Sequence, residues 1–585
     1  MAFLRKHADL FVCLGLGLFS LAITLPFLGH AFHIDEALFL RIARQIQEHP
    51  LQPYDFHYLW NSFHEPMRQI AAFPPLFPYY LAAVGWPSRF PSEWLIHLSL
   101  VPFAMAALIS IYFLGQRFGL SRLDSLLATM IIGTSPAFVV SANMAMPDVA
   151  AMSLALGALL VSIRGWKKDR IADLIAGGLL LAAAVLMRYN AAPLVLVYLL
   201  LGLSFTATLW KAALPSMICL AGGLAWLFIS GMGGGSSHAS EVLSIFAKTE
   251  GWESRLWSTG IHLTLSTFLP LLALPWLGRR KAFWAMLLTF LTLDFAIYGS
   301  SGIKRFAFFP DSLWFAAGAA LLLFVGLFLA SNLAKVDCLG WSKKREGDEL
   351  AYELRVKTGP QLVGNLALRN SALALWVLLL LAVPIIYVHF ASKYLLLAQP
   401  ALALMIFSYV SSTWLRRIAA FSLLPLLALS LSVAWADFSF ADLYRREAER
   451  VYRTDLRAAL TQKFSPERAV WFTGHWGWQY YMEKWGGLPL PLVAAREWAP
   501  LPGDLIVTSS YASAGDIPQS LSGRLELRES WGRNIDLPLR TMNPKARSGF
   551  YSNHWGPLPF NFSGQEAERF NYYLVKPETK LAILP

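Results

Sequence analysis

Charge and cysteine are both scarce in this chain. Of 585 residues only 15 % are charged, and the cysteines number three, Cys13, Cys219 and Cys338. Their separations show neither metal-ligand spacing nor a pairing pattern, which argues against a zinc module or a disulfide scaffold. So little charge also argues against a row of soluble domains.

What is abundant is apolar surface. Hydrophobic residues make up 56 % of the chain, with 39 Phe and 22 Trp. Apolar runs of about 17–22 residues recur, the length an α-helix needs to cross a bilayer. The sequence therefore reads as a polytopic membrane protein, mainly α, with membrane lipid as its surroundings. Its net charge of +12 does not point to nucleic acid, because the basic residues fall mostly in short loops between apolar runs. The first run, 10–28, follows Arg5 and Lys6, lacks a small-x-small cleavage site and is expected to stay as a signal-anchor helix.

Further spans are expected near 92–114, 122–140, 147–163, 171–187, 191–209, 212–230, 262–278, 282–298, 312–331, 371–388, 394–412 and 416–435, about thirteen in all. The piece 75–86 is short and interrupted by prolines, so it reads as re-entrant or interfacial. This count puts Arg5/Lys6, Arg117/Arg122, Arg164/Lys167/Lys168/Arg170, Lys211, Arg279/Arg280/Lys281, Lys343/Lys344/Arg345 and Arg416/Arg417 on one face. By the positive-inside rule that face is cytoplasmic. Two domains are expected: a transmembrane domain over 1–436, with an outer loop at 30–90 and a cytoplasmic loop at 331–370, and an α/β domain over 437–585 outside. In the latter, "RAVWFTG" and "GDLIVTSS" read as buried strands and "WGWQYYMEKWGG" as a helix stopped by glycine.

The outer face gathers the chemistry. "HIDEALFLRIARQIQEHP" begins with Asp35 and Glu36, and its apolar positions 38, 39, 42 and 46 have helix spacing. Asp148 follows Pro147 at the start of another span. Each acid stands where an N-cap would, so capping is the plain alternative to a shared metal or to general-base work. Arg188, Lys304, Arg305 and Lys393 lie at outer span ends, where the positive-inside bias disfavours them. Singly they read as snorkelling side chains; together they suit an anion such as phosphate. His389 and Tyr394 flank the same segment as Lys393. In the first loop His57, Glu65 and Arg68 sit among aromatic rings, a mixture suited to a sugar or to an interfacial belt. In the tail, His475 and Glu483 near aromatics read as packed core.

The ordered set "DEALFLRIARQI", "FPPLFPYYLAAVG", "NMAMPDVAAMSLALGALL", "LMRYNAAPLVLVYLL" and "KYLLLAQPALALM", roughly over residues 8–410, resembles the GT-C membrane glycosyltransferases of the protein O-mannosyltransferase and aminoarabinose-transferase type. That resemblance implies inverting transfer of a sugar from a polyprenyl-phosphate donor to an acceptor (lipid, glycan or protein) at the outer face of a bacterial cytoplasmic membrane. It makes Asp35 the leading catalytic acid, with Glu36 beside it and Asp148 second, and puts Arg188 and the Lys393-Tyr394 pair on the carrier phosphate. A magnesium or manganese ion on Asp35 and Asp148 is a further expectation. One position departs from the pattern: Phe73 precedes Pro74-Pro75 where relatives often carry Lys or His. The alternative from another class is a transporter or flippase for a lipid-linked or small solute, for which mid-span charges would be expected.

Overall fold

The structure is a computed structural model. It describes residues 7–277 except 61, 71–72, 89 and 232–250; 309–453 except 336–338, 347–348, 357–364 and 410–412; and 469–577 except 493–498 and 513–516. The expected span at 282–298, Arg279 to Lys281, Lys304, Arg305 and Cys338 lie outside the described residues.

The chain is mainly helical and multi-pass. Among the described residues seven helices are long and apolar enough to cross a membrane, and a bent pair makes an eighth. Three more apolar helices, Ile171–Met187, Tyr189–Phe205 and Gln399–Tyr409, are shorter. The thirteen expected runs comprise these eleven, the broken run at 262–278 and the run at 282–298 outside the described residues. The run at 122–140 breaks into Arg122–Gly133 and Pro136–Ala142, bent by 65°. Pro136 has no amide to continue the first helix, and the Ser135 hydroxyl caps the second by accepting from the Phe138 amide at 3.3 Å. The run at 262–278 likewise becomes Trp252–Thr267 and Leu269–Leu277, broken at Phe268 with φ 58°. The 331–370 loop holds an antiparallel hairpin, Leu339–Glu346 with Glu349–Val356.

Helices Pro147–Lys168 and Ile171–Met187 run antiparallel, so Asp148 and Arg188 share one end of the bundle. At the other end, about 30 Å away at 1.5 Å per residue, basic residues find acids. Arg164 meets Asp173 at 2.7 Å, Arg416 meets Asp124 at 2.7 Å and Arg122 meets Asp9 at 3.0 Å.

The last long helix, Thr413–Arg453, has 41 residues. That is roughly 60 Å, twice a hydrocarbon core, so the expected boundary at 436/437 falls inside a continuous helix. Its far half packs on a five-stranded sheet. The order is Leu488–Pro489, Val470–Thr473, Leu505–Ser509, Glu568–Val575 and Leu525–Arg533. The first three strands are parallel and the others antiparallel. Both expected strands are there, and the aromatic helix forms as Trp476–Lys484, followed by Gly486 at φ 90°. The sheet is keyed to the long helix by the Tyr444 hydroxyl, which donates to Glu568 at 2.8 Å, and by the Arg533–Glu447 pair at 2.9 Å.

Candidate active site

The first loop reaches the site through a tight turn. Ile34 sits in the left-handed region at φ 49°, an unusual place for a β-branched residue. Helix Glu36–Glu48 then starts, and Leu38, Phe39, Ile42 and Ile46 all bury, as their spacing required. Asp35 occupies the N-cap position, yet its side chain caps nothing. Its carboxylate instead accepts from the Lys393 ammonium, Nζ to Oδ2 at 3.2 Å. Burial pushes the Asp35 carboxyl up, but the charge and hydrogen bond of Lys393 and the charge of Arg188 outweigh it and hold the group below its ordinary range.

Asp148 does not cap either. Neither of its oxygens accepts a hydrogen bond among the described residues, although Arg188 Nε lies 3.2 Å from Oδ1. For both acids, then, the capping alternative gives way to a cation partner. Lys393 is only 2 % exposed and Arg188 8 %, so neither snorkels to lipid headgroups. A buried cation needs a permanent partner, and the two carboxylates supply it.

Tyr394 joins the two pairs. The Arg188 guanidinium lies over its ring at 5.2 Å and the Lys393 ammonium at 6.0 Å. Its hydroxyl is 3.1 Å from His389 Nε2. Burial pushes the His389 imidazole down to about 3, so the ring is neutral at neutral pH. Six residues singled out in the sequence, Asp35, Asp148, Arg188, His389, Lys393 and Tyr394, thus form one connected group.

Glu36 is not part of it. Successive helix residues point about 100° apart, and Glu36 turns inward, fully buried. It accepts from the amides of His33 and Ala145 and lies 3.7 Å from His97 Nε2. Its position makes it a tie between the Asp35 turn and the segment leading to Asp148, and it corrects the expectation that both acids face the chemistry. His57, Glu65 and Arg68 sit on the hairpin His57–Trp60/Phe63–Pro66 and helix Met67–Ile70. None of the three bonds to the group among the described residues.

The sequence missed what the C-terminal half contributes. The Asn553 side chain accepts from the Phe390 amide at 2.7 Å, and the Asn553 main-chain amide donates back to the Phe390 carbonyl at 2.9 Å. Ser392 N donates to Phe550 O at 2.8 Å. On the other side the Phe32 amide donates to the Tyr481 hydroxyl at 2.9 Å. Gly477 approaches so closely that a Cβ there would stand 2.1 Å from Phe32 O. Both site-bearing loops are therefore clamped by the tail. His389 also faces His554, ring centroids 6.3 Å apart. No local pattern announces these contacts, which span more than 150 residues.

Residues 73–230 match the family of dolichyl-phosphate-mannose-protein mannosyltransferases. The GT-C resemblance is borne out. The matched segment carries Asp148 and Arg188 and includes the double proline. No curated protein sequence matches the chain. Among solved structures, the oligosaccharyltransferase of Archaeoglobus fulgidus aligns over 84 % of this chain at 12 % identity and TM-score 0.45. The chain spans 64 % of that protein's length. ArnT from Cupriavidus metallidurans bound to undecaprenyl phosphate aligns over 87 % of this chain and 94 % of its own, at 15 % identity and TM-score 0.40. Its apo form aligns over 98 % of both chains at 13 % identity and TM-score 0.41. Likenesses this distant say nothing about what the chain binds.

Proposed function

We propose that this protein is an inverting glycosyltransferase that moves a sugar from a polyprenyl-phosphate donor to an acceptor at the outer face of a bacterial cytoplasmic membrane. The reading rests on one observation above all: two buried cations, Lys393 and Arg188, meet two carboxylates at the end of the bundle opposite the basic loops. Positive-inside bias makes the basic end cytoplasmic and the site end external, with the N-terminus inside and the sheet domain outside.

In the reaction the acceptor hydroxyl attacks the anomeric carbon, the bond from that carbon to the phosphate oxygen breaks, and the lipid phosphate leaves with the electron pair. Lys393 and Arg188 face the charge that develops on the leaving oxygen. When the donor phosphate engages Lys393, Asp35 loses the cation that most depresses its pKa. Its basicity rises as the acceptor hydroxyl comes to it, and it takes the hydroxyl proton. Asp148 holds the Arg188 fork in place, and Tyr394 keeps both cations over one ring.

Among the described residues no three His, Cys, Asp or Glu side chains form a metal cluster. Asp35 and Asp148 fit a magnesium or manganese ion only as two carboxylates supplemented by donor phosphate oxygens, a usual setting for magnesium. Such an ion would add Lewis acidity at the leaving oxygen. The experiment is direct: purified protein, a polyprenyl phosphate carrying a radiolabelled sugar, and a count of label moved to an acceptor or to water. Translocation of intact donor with no sugar transfer would show a flippase instead.

A further inference from the structure

A row of aromatic rings leads away from the charged group. His33, two residues before Asp35, meets the Trp476 ring edge-on at 6.5 Å. Trp476 lies 5.8 Å from Trp555, and Trp555 lies 5.9 Å from Tyr511, edge to face. On the near side Trp476 touches the His475 ring at 4.4 Å, and Trp60 of the first loop closes on His475 at 4.2 Å. Trp60, Trp476, Tyr511 and Trp555 are all half-buried, neither sealed in a core nor free.

Two details set this row apart from ordinary packing. His475 is 7 % exposed, and its Nδ1 has no hydrogen-bond partner. A buried polar nitrogen left unpaired is uncommon and calls for a reason. Trp476 stands at φ 62°, in the left-handed region. Strain of this kind persists where the surroundings hold a side chain in a required place.

From this arrangement we infer that Trp60, His475, Trp476, Tyr511 and Trp555 form the acceptor subsite, and that the acceptor is a saccharide. The inference deepens the proposed transfer reaction and rests on it. The row carries no carboxylate and no Lys or Arg, so it offers nothing to a phosphate; the anionic donor belongs at the Lys393 end. Flat, amphipathic rings with an unpaired imidazole at their edge suit an uncharged polyhydroxyl ring. The C–H face lies on the indoles and a hydroxyl reaches His475 Nδ1. Since three of the five residues lie in one stretch of the tail or its neighbour loop (His475, Trp476, Tyr511) and Trp555 follows the Asn553 clamp, the C-terminal half would choose the acceptor while the membrane half holds the donor.

The test uses the full chain in lipid nanodiscs and saturation-transfer NMR. Mannotriose and N,N′-diacetylchitobiose serve as free glycans, octyl glucoside below its micellar concentration as a glycolipid, and an unglycosylated decapeptide as the contrast. Saturation of the C–H protons of either sugar class is expected, and the class that binds identifies a glycan or a glycolipid source. Trp555→Ala and His475→Ala should each weaken that binding at least tenfold and change the affinity for undecaprenyl phosphate less than twofold. Transfer to neither sugar class, equal transfer in the variants, or binding of the peptide alone would overturn the inference. Failure of undecaprenyl phosphate to bind the unaltered chain would instead count against the transfer reaction, since sugar binding is read separately.

Discussion

Asn553 holds the main chain of Phe390 from both sides, accepting from its amide at 2.7 Å and donating to its carbonyl at 2.9 Å. Phe390 is fully buried and stands three residues before Lys393. The Lys393 ammonium is thus set in place by a loop of the C-terminal half.

Asn553→Ala removes the acceptor from a buried amide, a loss of about 1–3 kcal/mol when the group stays dry. The expected outcome is a rise in the KM for donor with a smaller change in kcat, and rescue by Asn553→Asp, which keeps the acceptor. Steady-state kinetics with a labelled donor reads this. An unchanged KM would show that Lys393 does not depend on the clamp.

Asp35→Asn and Glu36→Ala should part company although the residues are adjacent. Asp35→Asn keeps the shape of the turn and removes the base, lowering transfer on the order of 10²–10⁴-fold, a loss out of proportion to the fall in melting temperature from leaving buried Lys393 without its counter-charge. Glu36→Ala leaves the amides of His33 and Ala145 without their acceptor, so the melting temperature falls before any kinetic effect is considered. Thermal denaturation beside a transfer assay separates the two.

Lys393→Met is nearly equal in length and uncharged. Losing a charge-assisted contact to phosphate should weaken binding of a polyprenyl phosphate on the order of ten- to a hundredfold. The Asp35 side chain is 22 % exposed, so water can replace the ammonium and the chain should still fold. Arg188→Lys should also weaken binding, because an ammonium cannot reproduce the planar fork between Asp148 and the Tyr394 ring. Isothermal titration measures both.

The site end should loosen in mild acid. Burial pushes His33 down to about 4, and His389 and His475 to about 3, from an ordinary 6.5. Between those values the unfolded chain binds more protons than the folded one, so stability is lost as pH falls below 6.5. His30, pushed up by Asp437 and Glu36 against the pull of burial, works in the opposite sense. Three lowered groups against one raised group predict a lower melting temperature at pH 5 than at pH 7.5, and His475→Gln should shrink the difference. A rising melting temperature on acidification would contradict the burial of these rings.

Periodicity and composition carried the local elements. Apolar runs fixed the helical bundle, short continuous apolar runs fixed the buried strands Val470–Thr473 and Leu505–Ser509, and the spacing of Leu38, Phe39, Ile42 and Ile46 fixed helix Glu36–Glu48. Loop charge also separated the two ends of the bundle, which is why Asp35, Asp148, Arg188 and Lys393 group together from the sequence. Breaks were harder to read. Ser135-Pro136 and Phe268 interrupt apolar runs whose hydropathy is continuous, so a window of hydrophobicity passes over them.

The sequence by itself determined which residues lie at which end of the bundle, because hydrophobic length and loop charge are properties of the chain taken in order. Only the tertiary structure decided their partners. It separated Asp35 from Glu36, since a rotation of about 100° per helical residue sends neighbours to different surroundings. It also brought Asn553 and His554 to the site from the tail. Those contacts join segments hundreds of residues apart, and no periodic pattern along the chain encodes a meeting of that kind.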